Sequence, residues 1–255
     1  TTSALMKPFF LLACILLSTA IFFAGNTKAE VKPSYYQEQA EFYITQTKAK
    51  QPSLAVITQD QPDFEPLWRE LLRQQLITSK KRESAAISQA IALTMAIQYV
   101  PTYLAYADDA NINYYFQLQR KFLLQAQTDG RLCGLLLNTQ SSRMDQQGMP
   151  PWLLEKKYRD NIPALQTAMN KLIIPKQNAW ARLLPAEQSQ VFMRRVINQM
   201  ANTYGADSIK LYEQMNNENA SPTQRCLGLY QLYETLNIQP LELRAQLIRS
   251  FFGGQ

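Results

Sequence analysis

From residue 84 to residue 107 the chain runs SAAISQAIALTMAIQYVPTYLAYA without one charged side chain. Plotted at helical spacing, Ile87, Ile91 and Met95 share one side and Ala86, Ala90, Leu93, Ile97 and Val100 another. Apolar positions on nearly every side predict a helix enclosed by others. Pro101 interrupts the run, so one helix is expected to end near Tyr99 and a short one to begin at the proline.

The remaining pattern also has helical periods. Residues 34–50 read as a first helix with Ser34 as N-cap, and residues 62–79 as a second, with Trp68, Leu72 and Leu76 on its apolar stripe. Between them, residues 53–58 (SLAVIT) form the only stretch with the character of a strand, and they lack a second strand to pair with. Asp108 to Asn111 suggest a turn or cap before a helix over 112–127, with Gly130 suited to a left-handed C-cap. Helices follow over 151–160, 163–173, 179–184, 185–204 (closed by Gly205) and 206–215, then one that begins at Pro222 and carries Cys226, Leu229, Tyr230 and Tyr233 inward, and a last one over 240–252. Ser221-Pro222-Thr223-Gln224 has the spacing of a capping box. The polar stretch 138–151 is the best candidate for a loop or subdomain boundary. There is no repeat at a fixed period and no sustained heptad. The expected fold is therefore all-α, a compact multi-helix bundle around a buried apolar helix at about 84–99.

The other uncharged run, residues 9–25, has a different flank. Lys7 precedes it and Asn26-Thr27-Lys28-Ala29 follow, the order of the n, h and c regions of a secretory signal with cleavage after Ala29. Residues 1–29 are thus expected to be a signal peptide, or else an uncleaved membrane anchor, since the run approaches the length that spans a bilayer. Leu12-Ala13-Cys14 offers a third reading, as a lipoprotein box. Residues 1–5 precede Met6 and are left out of the fold reasoning. The remainder, 30–255, is expected to be a single exported domain, periplasmic or secreted, or held outside the cytoplasm by an inner-membrane anchor. A second membrane helix at 84–107 would place Gln89 and Gln98 in hydrocarbon, at a high cost.

Export changes the meaning of the cysteines. Without Cys14 the chain keeps Cys133 and Cys226, and an even pair in an oxidising compartment implies one disulfide. Closing so long a loop stabilises the fold by on the order of 4 kcal/mol in the chain-entropy picture. Eight glycines among 255 residues, with abundant Ala, Leu, Gln and Met, agree with helices throughout. The formal charge of +6 includes Lys7 and Lys28, and the other cations are dispersed. The densest group, Lys80-Lys81-Arg82, is followed at once by Glu83. Nucleic acid is therefore not an expected partner.

Much chemistry is excluded by composition. There is no histidine, which removes histidine-activated nucleophiles and histidine-based zinc sites. The sequence has no CxxC motif and no glycine-rich phosphate loop, and no metal or cofactor is expected. Carboxylate acid–base catalysis is what the composition allows, and Glu83 is the one candidate. Glu83-Ser84 resembles the Glu-Ser pair that opens the active site of lytic transglycosylases, helical exported enzymes that act on peptidoglycan. The resemblance covers two residues. The Gly-Leu-Met-Gln and Tyr-Asn-Ala-Gly type segments of that family are absent. Tyr103, Tyr106, Asp108 and Asp109 form a second candidate, a ligand-binding rim in which tyrosines stack and carboxylates accept hydrogen bonds. The leading expectation is a non-enzymatic structural or interaction module of the bacterial cell envelope, with an envelope protein or peptidoglycan as partner. The alternatives are a peptidoglycan-acting hydrolase using Glu83 and a membrane-tethered subunit of an envelope assembly.

Overall fold

The computed structural model describes residues 33–78, 84–137, 155–175, 183–215, 217 and 219–253. Among these the chain is helical, with no strand. In order the helices are α1 (Pro33–Lys50), α2 (Pro52–Asp60), α3 (Phe64–Thr78), α4 (Ser84–Ala96), α5 (Val100–Leu104), α6 (Asp109–Ala126) and α7 (Gly130–Leu136). They continue with α8 (Lys156–Arg159), α9 (Ile162–Ile173), α10 (Ala186–Tyr204), α11 (Asp207–Gln214), α12 (Pro222–Asn237) and α13 (Leu241–Phe252). Residues 1–29, the 138–151 boundary, Lys80–Arg82, Trp152 and Trp180 lie outside the described residues.

The uncharged run sits at the centre of the first half. Ten of the thirteen residues of α4 are buried, and the helix packs against α1, α2, α3 and α9. It ends where the proline requires it to end. Ile97–Tyr99 tighten into a 3₁₀ turn, and α5 restarts with Pro101 in its first turn, where a missing N–H costs nothing. A small polar knot sets the height of α4. Ser88 Oγ lies 2.9 Å from Thr47 Oγ1 of α1, and the indole N–H of fully buried Trp68 in α3 donates to the Ser88 carbonyl at 3.1 Å.

A second centre is α6, which touches α7, α9, α12 and α13. Helix α9 spans the two groups, lying against α2, α4, α5 and α6. The junction of α1 and α2 is tied to α9 by the Gln51 amide, 1 % exposed, which donates to Ser53 Oγ at 2.9 Å and to the Gln166 carbonyl at 3.2 Å. The bundle is therefore organised about two helices, α4 and α6, where the sequence pattern had singled out one.

Three local expectations are corrected. Residues 53–58 are helical, because Pro52 opens a helical turn and the β-branched pair Val56-Ile57 buries on one face of α2. Gly130 does not close a helix in the left-handed region; it is the first residue of α7. The one described glycine with positive φ is Gly205, at φ 90°, which ends α10 with its N–H on the Ala201 carbonyl. Residues 183–185 are not helical.

Candidate functional site

The proposed rim residues lie on α5 and the start of α6. Tyr103 faces the core and is fully buried, with its hydroxyl donating to Asp60 Oδ2 at 3.0 Å. Burial, and then the Asp60 carboxylate, hold its phenol well above the ordinary tyrosine range. Tyr106 is half-buried on the turn that follows α5. Asp108 is exposed and is the N-cap of α6, its Oδ1 accepting the Asn111 N–H at 2.7 Å. Asp109 pairs at 2.6 Å with Arg249 of α13. Arg249 is 2 % exposed and also donates from Nε and Nη2 to the Ala107 carbonyl at 3.2 and 2.7 Å. Tyr103, Asp108 and Asp109 are thus in structural roles: the first in the core, the second as a cap and the third as the anchor of the last helix. Glu83 lies outside the described residues.

The larger polar constellation is on the seam of α6, α12 and α13. The Arg120 guanidinium meets the Glu234 carboxylate with two parallel bonds of 2.9 Å. Its Nη1 donates to Gln117 Oε1 at 2.6 Å, and the Gln117 amide passes the chain on to Asn237 Oδ1 at 2.9 Å. Arg244 ends the series, donating to the Asn237 carbonyl at 2.7 Å and to Asn113 Oδ1 at 2.5 Å. Below it lies the ring of Phe116, 5.1 Å from the guanidinium carbon and stacked on Tyr233 at 4.9 Å.

The seam carries two guanidiniums and one carboxylate. Arg244 is 7 % exposed and is held by neutral acceptors and a ring face. Burial, followed by the neighbouring Arg120 charge, lowers its pKa from the usual arginine value. Tyr204, 40 % exposed at the end of α10, borders the seam. Burial raises its pKa, as do the charges of Glu234 and Tyr230, against the opposing pull of Arg120. Arg244, Phe116 and Tyr233 are interior, so the parts of the seam that a partner could reach are the partly exposed Arg120–Glu234 pair and the ring of Tyr204. No local pattern in the sequence marks this seam, since its pairs are separated by 114, 120 and 131 positions.

The cysteine pair falls where the sequence put it. Cys133 of α7 and Cys226 of α12 are joined by a disulfide with Cα atoms 5.9 Å apart, and each residue is 1 % exposed. Among the described residues there is no group of three or more His, Cys, Asp or Glu that could hold a metal ion, and no helix is long and apolar enough to cross a membrane. Comparison of the chain with family models, with curated proteins and with solved structures finds no match in any of the three.

Proposed function

We propose that the protein is an exported helical module of the bacterial cell envelope, periplasmic or secreted, which acts by binding an envelope protein or peptidoglycan and not by catalysis. The observation that carries the reading is the Cys133–Cys226 bond, which joins two elements 93 positions apart in the interior. Bonds of this kind form and persist in oxidising compartments. The pattern of residues 7–29 supports the same compartment by an independent route, as the n, h and c regions of an export signal. The seam supports binding because the Arg120–Glu234 ion pair, partly exposed and bordered by Tyr204, is held in one geometry.

Fractionation of cells making the full chain tests the compartment. The protein is expected in the fraction released by osmotic shock, and retention with the cytoplasmic contents contradicts the reading. Incubation with purified sacculi tests the absence of turnover. Unchanged sacculus turbidity is the expected result, and release of soluble wall fragments would give the function to a hydrolase instead.

A further inference from the structure

Helices α6 and α12 meet antiparallel, with Gln117 bonded to Asn237 and Arg120 to Glu234. That register sets Leu124, one turn after Arg120, level with Tyr230, one turn before Glu234. Leu124 is 58 % exposed and Tyr230 is half-buried. One turn beyond Glu234 the backbone is still helical at Ile238, which is 61 % exposed. Tyr204 of α10 borders Glu234 and Tyr230 on the other side. Three of the nine large apolar side chains exposed among the described residues thus surround one ion pair. Scattered singly they would be ordinary; gathered, they mark an interaction surface.

This surface is its own complement. Across the seam it offers, in order, the exposed Lys121 cation, the Arg120 guanidinium, the Glu234 carboxylate and the Tyr204 ring. A two-fold axis lying along the seam, in the plane of contact, reverses that order in the facing copy. It sets Lys121 against the ring of the partner's Tyr204, Arg120 against the partner's Glu234, and Leu124 against the partner's Tyr230. The ion pair within each chain stays closed. Nη1 of Arg120 donates to Gln117 and Nη2 to Glu234, which leaves each nitrogen a second N–H, and the carboxylate oxygens accept more than one bond. A ring of four alternating charges gives every ion two opposite neighbours, and this offsets desolvation better than one neighbour does.

We infer that the protein forms a two-fold dimer through this surface, α6 of each copy lying over α12 of the other. The inference rests on the reading of the seam as a binding surface and names a second copy of the chain as what it binds.

The test is analytical ultracentrifugation of the purified, oxidised chain over a range of concentrations. Twice the chain mass is expected at high concentration, with dissociation on dilution. Leu124→Glu and Ile238→Glu alter side chains that stand in water in the single chain, so helical circular dichroism should be kept while the dissociation constant rises at least about tenfold. Glu234→Arg makes the seam cationic and Arg120→Glu makes it anionic. Each alone is expected to be monomeric, and an equimolar mixture of the two to recover the dimer. A parent of single-chain mass at every concentration would overturn the dimer. So would a dimer whose affinity survives both Leu124→Glu and Ile238→Glu, since it would use another face. A mixture that stays monomeric, with both variants folded, would overturn the two-fold arrangement. Retention on sacculi separates the dimer from the reading beneath it. A monomeric parent whose retention is lost in Leu124→Glu sinks the second copy alone, and one that the substitution leaves unchanged sinks the seam as a binding surface as well.

Discussion

Arg249 and Asp109 stand 2.6 Å apart at the point where the last helix crosses the start of α6, the guanidinium 2 % exposed and the Asp109 side chain 33 % exposed. The pair is asymmetric. Removing the carboxylate strands a cation in the interior, whereas removing the guanidinium leaves an aspartate that water can still reach. Asp109→Ala is therefore expected to destabilise by about 3 kcal/mol and Arg249→Met by less, because a buried charge without its partner is the costlier of the two defects. Urea unfolding of the two variants compares them directly. Equal losses would show that the Ala107 carbonyl, not Asp109, compensates the guanidinium.

Gly228 of α12 gives a prediction of the opposite kind, from a contact that cannot be enlarged. A Cβ there would meet the Leu211 carbonyl oxygen at 2.6 Å and its carbon at 2.9 Å, both backbone atoms of α11. Alanine ordinarily stabilises a helix interior by about 1 kcal/mol over glycine. Here overpacking of about 1–3 kcal/mol outweighs that gain, and Gly228→Ala should lower the Tm. At Gly130 nothing lies within 4 Å of the added methyl, so Gly130→Ala should raise it slightly. Calorimetry on the two single variants reads both signs.

The carboxyl of Asp129 sets an acid limit on the seating of α7. Burial pulls its pKa upward, but the bonds from Lys157, Tyr158 and the Leu132 and Arg131 backbone together outweigh burial and hold it well below the usual carboxylate range. A folded-state pKa below the unfolded one means that the ionised carboxylate stabilises the fold. The contribution is present in full above the unfolded value of about 3.9 and is lost as pH falls through that value toward the folded one. Asp129→Asn should flatten the fall in stability below about pH 5. If denaturation midpoints of the variant and the parent decline in parallel from pH 6 to pH 3, Asp129 is not the titrating group.

Tyr103 separates a structural role from a ligand-binding one. Its buried hydroxyl donates to Asp60, which lies at the exposed end of α2. Tyr103→Phe removes that bond while keeping the ring, and is expected to cost about 1 kcal/mol, since the aspartate regains water. Thermal unfolding measures it. A change below the precision of the measurement would show that the bond exchanges freely with solvent.

Local signals and long-range ones were legible to different degrees. Asp108 and Ser221 were readable as caps because the bond each makes is to an N–H three residues on, at 2.7 and 3.2 Å. Gly205 was readable for a similar reason, and the burial of 84–96 followed from the lack of any face that water would favour. The SLAVIT stretch misled because β-branched residues suit a strand, while Pro52 and the face presented to α9 decide for a helix. Gly130 misled because a glycine after a helical run can end it or begin the next. The seam was invisible for another reason. Helical period gives the side on which Arg120 or Arg244 lies, but the azimuth at which two helices meet, and so the pairing with Glu234 or Asn113, is set by packing of the whole bundle. The cysteines escaped this limit because Cys133 and Cys226 have no other partner of their own kind once Cys14 is set aside with the signal.

The most direct test of an exported, oxidised module is the intact mass of the purified protein with thiol alkylation under denaturing conditions, before and after reduction. The account predicts a chain that begins near Glu30 and takes up no alkylating reagent until it is reduced, then two equivalents, on Cys133 and Cys226. Two thiols that alkylate without reduction would contradict it.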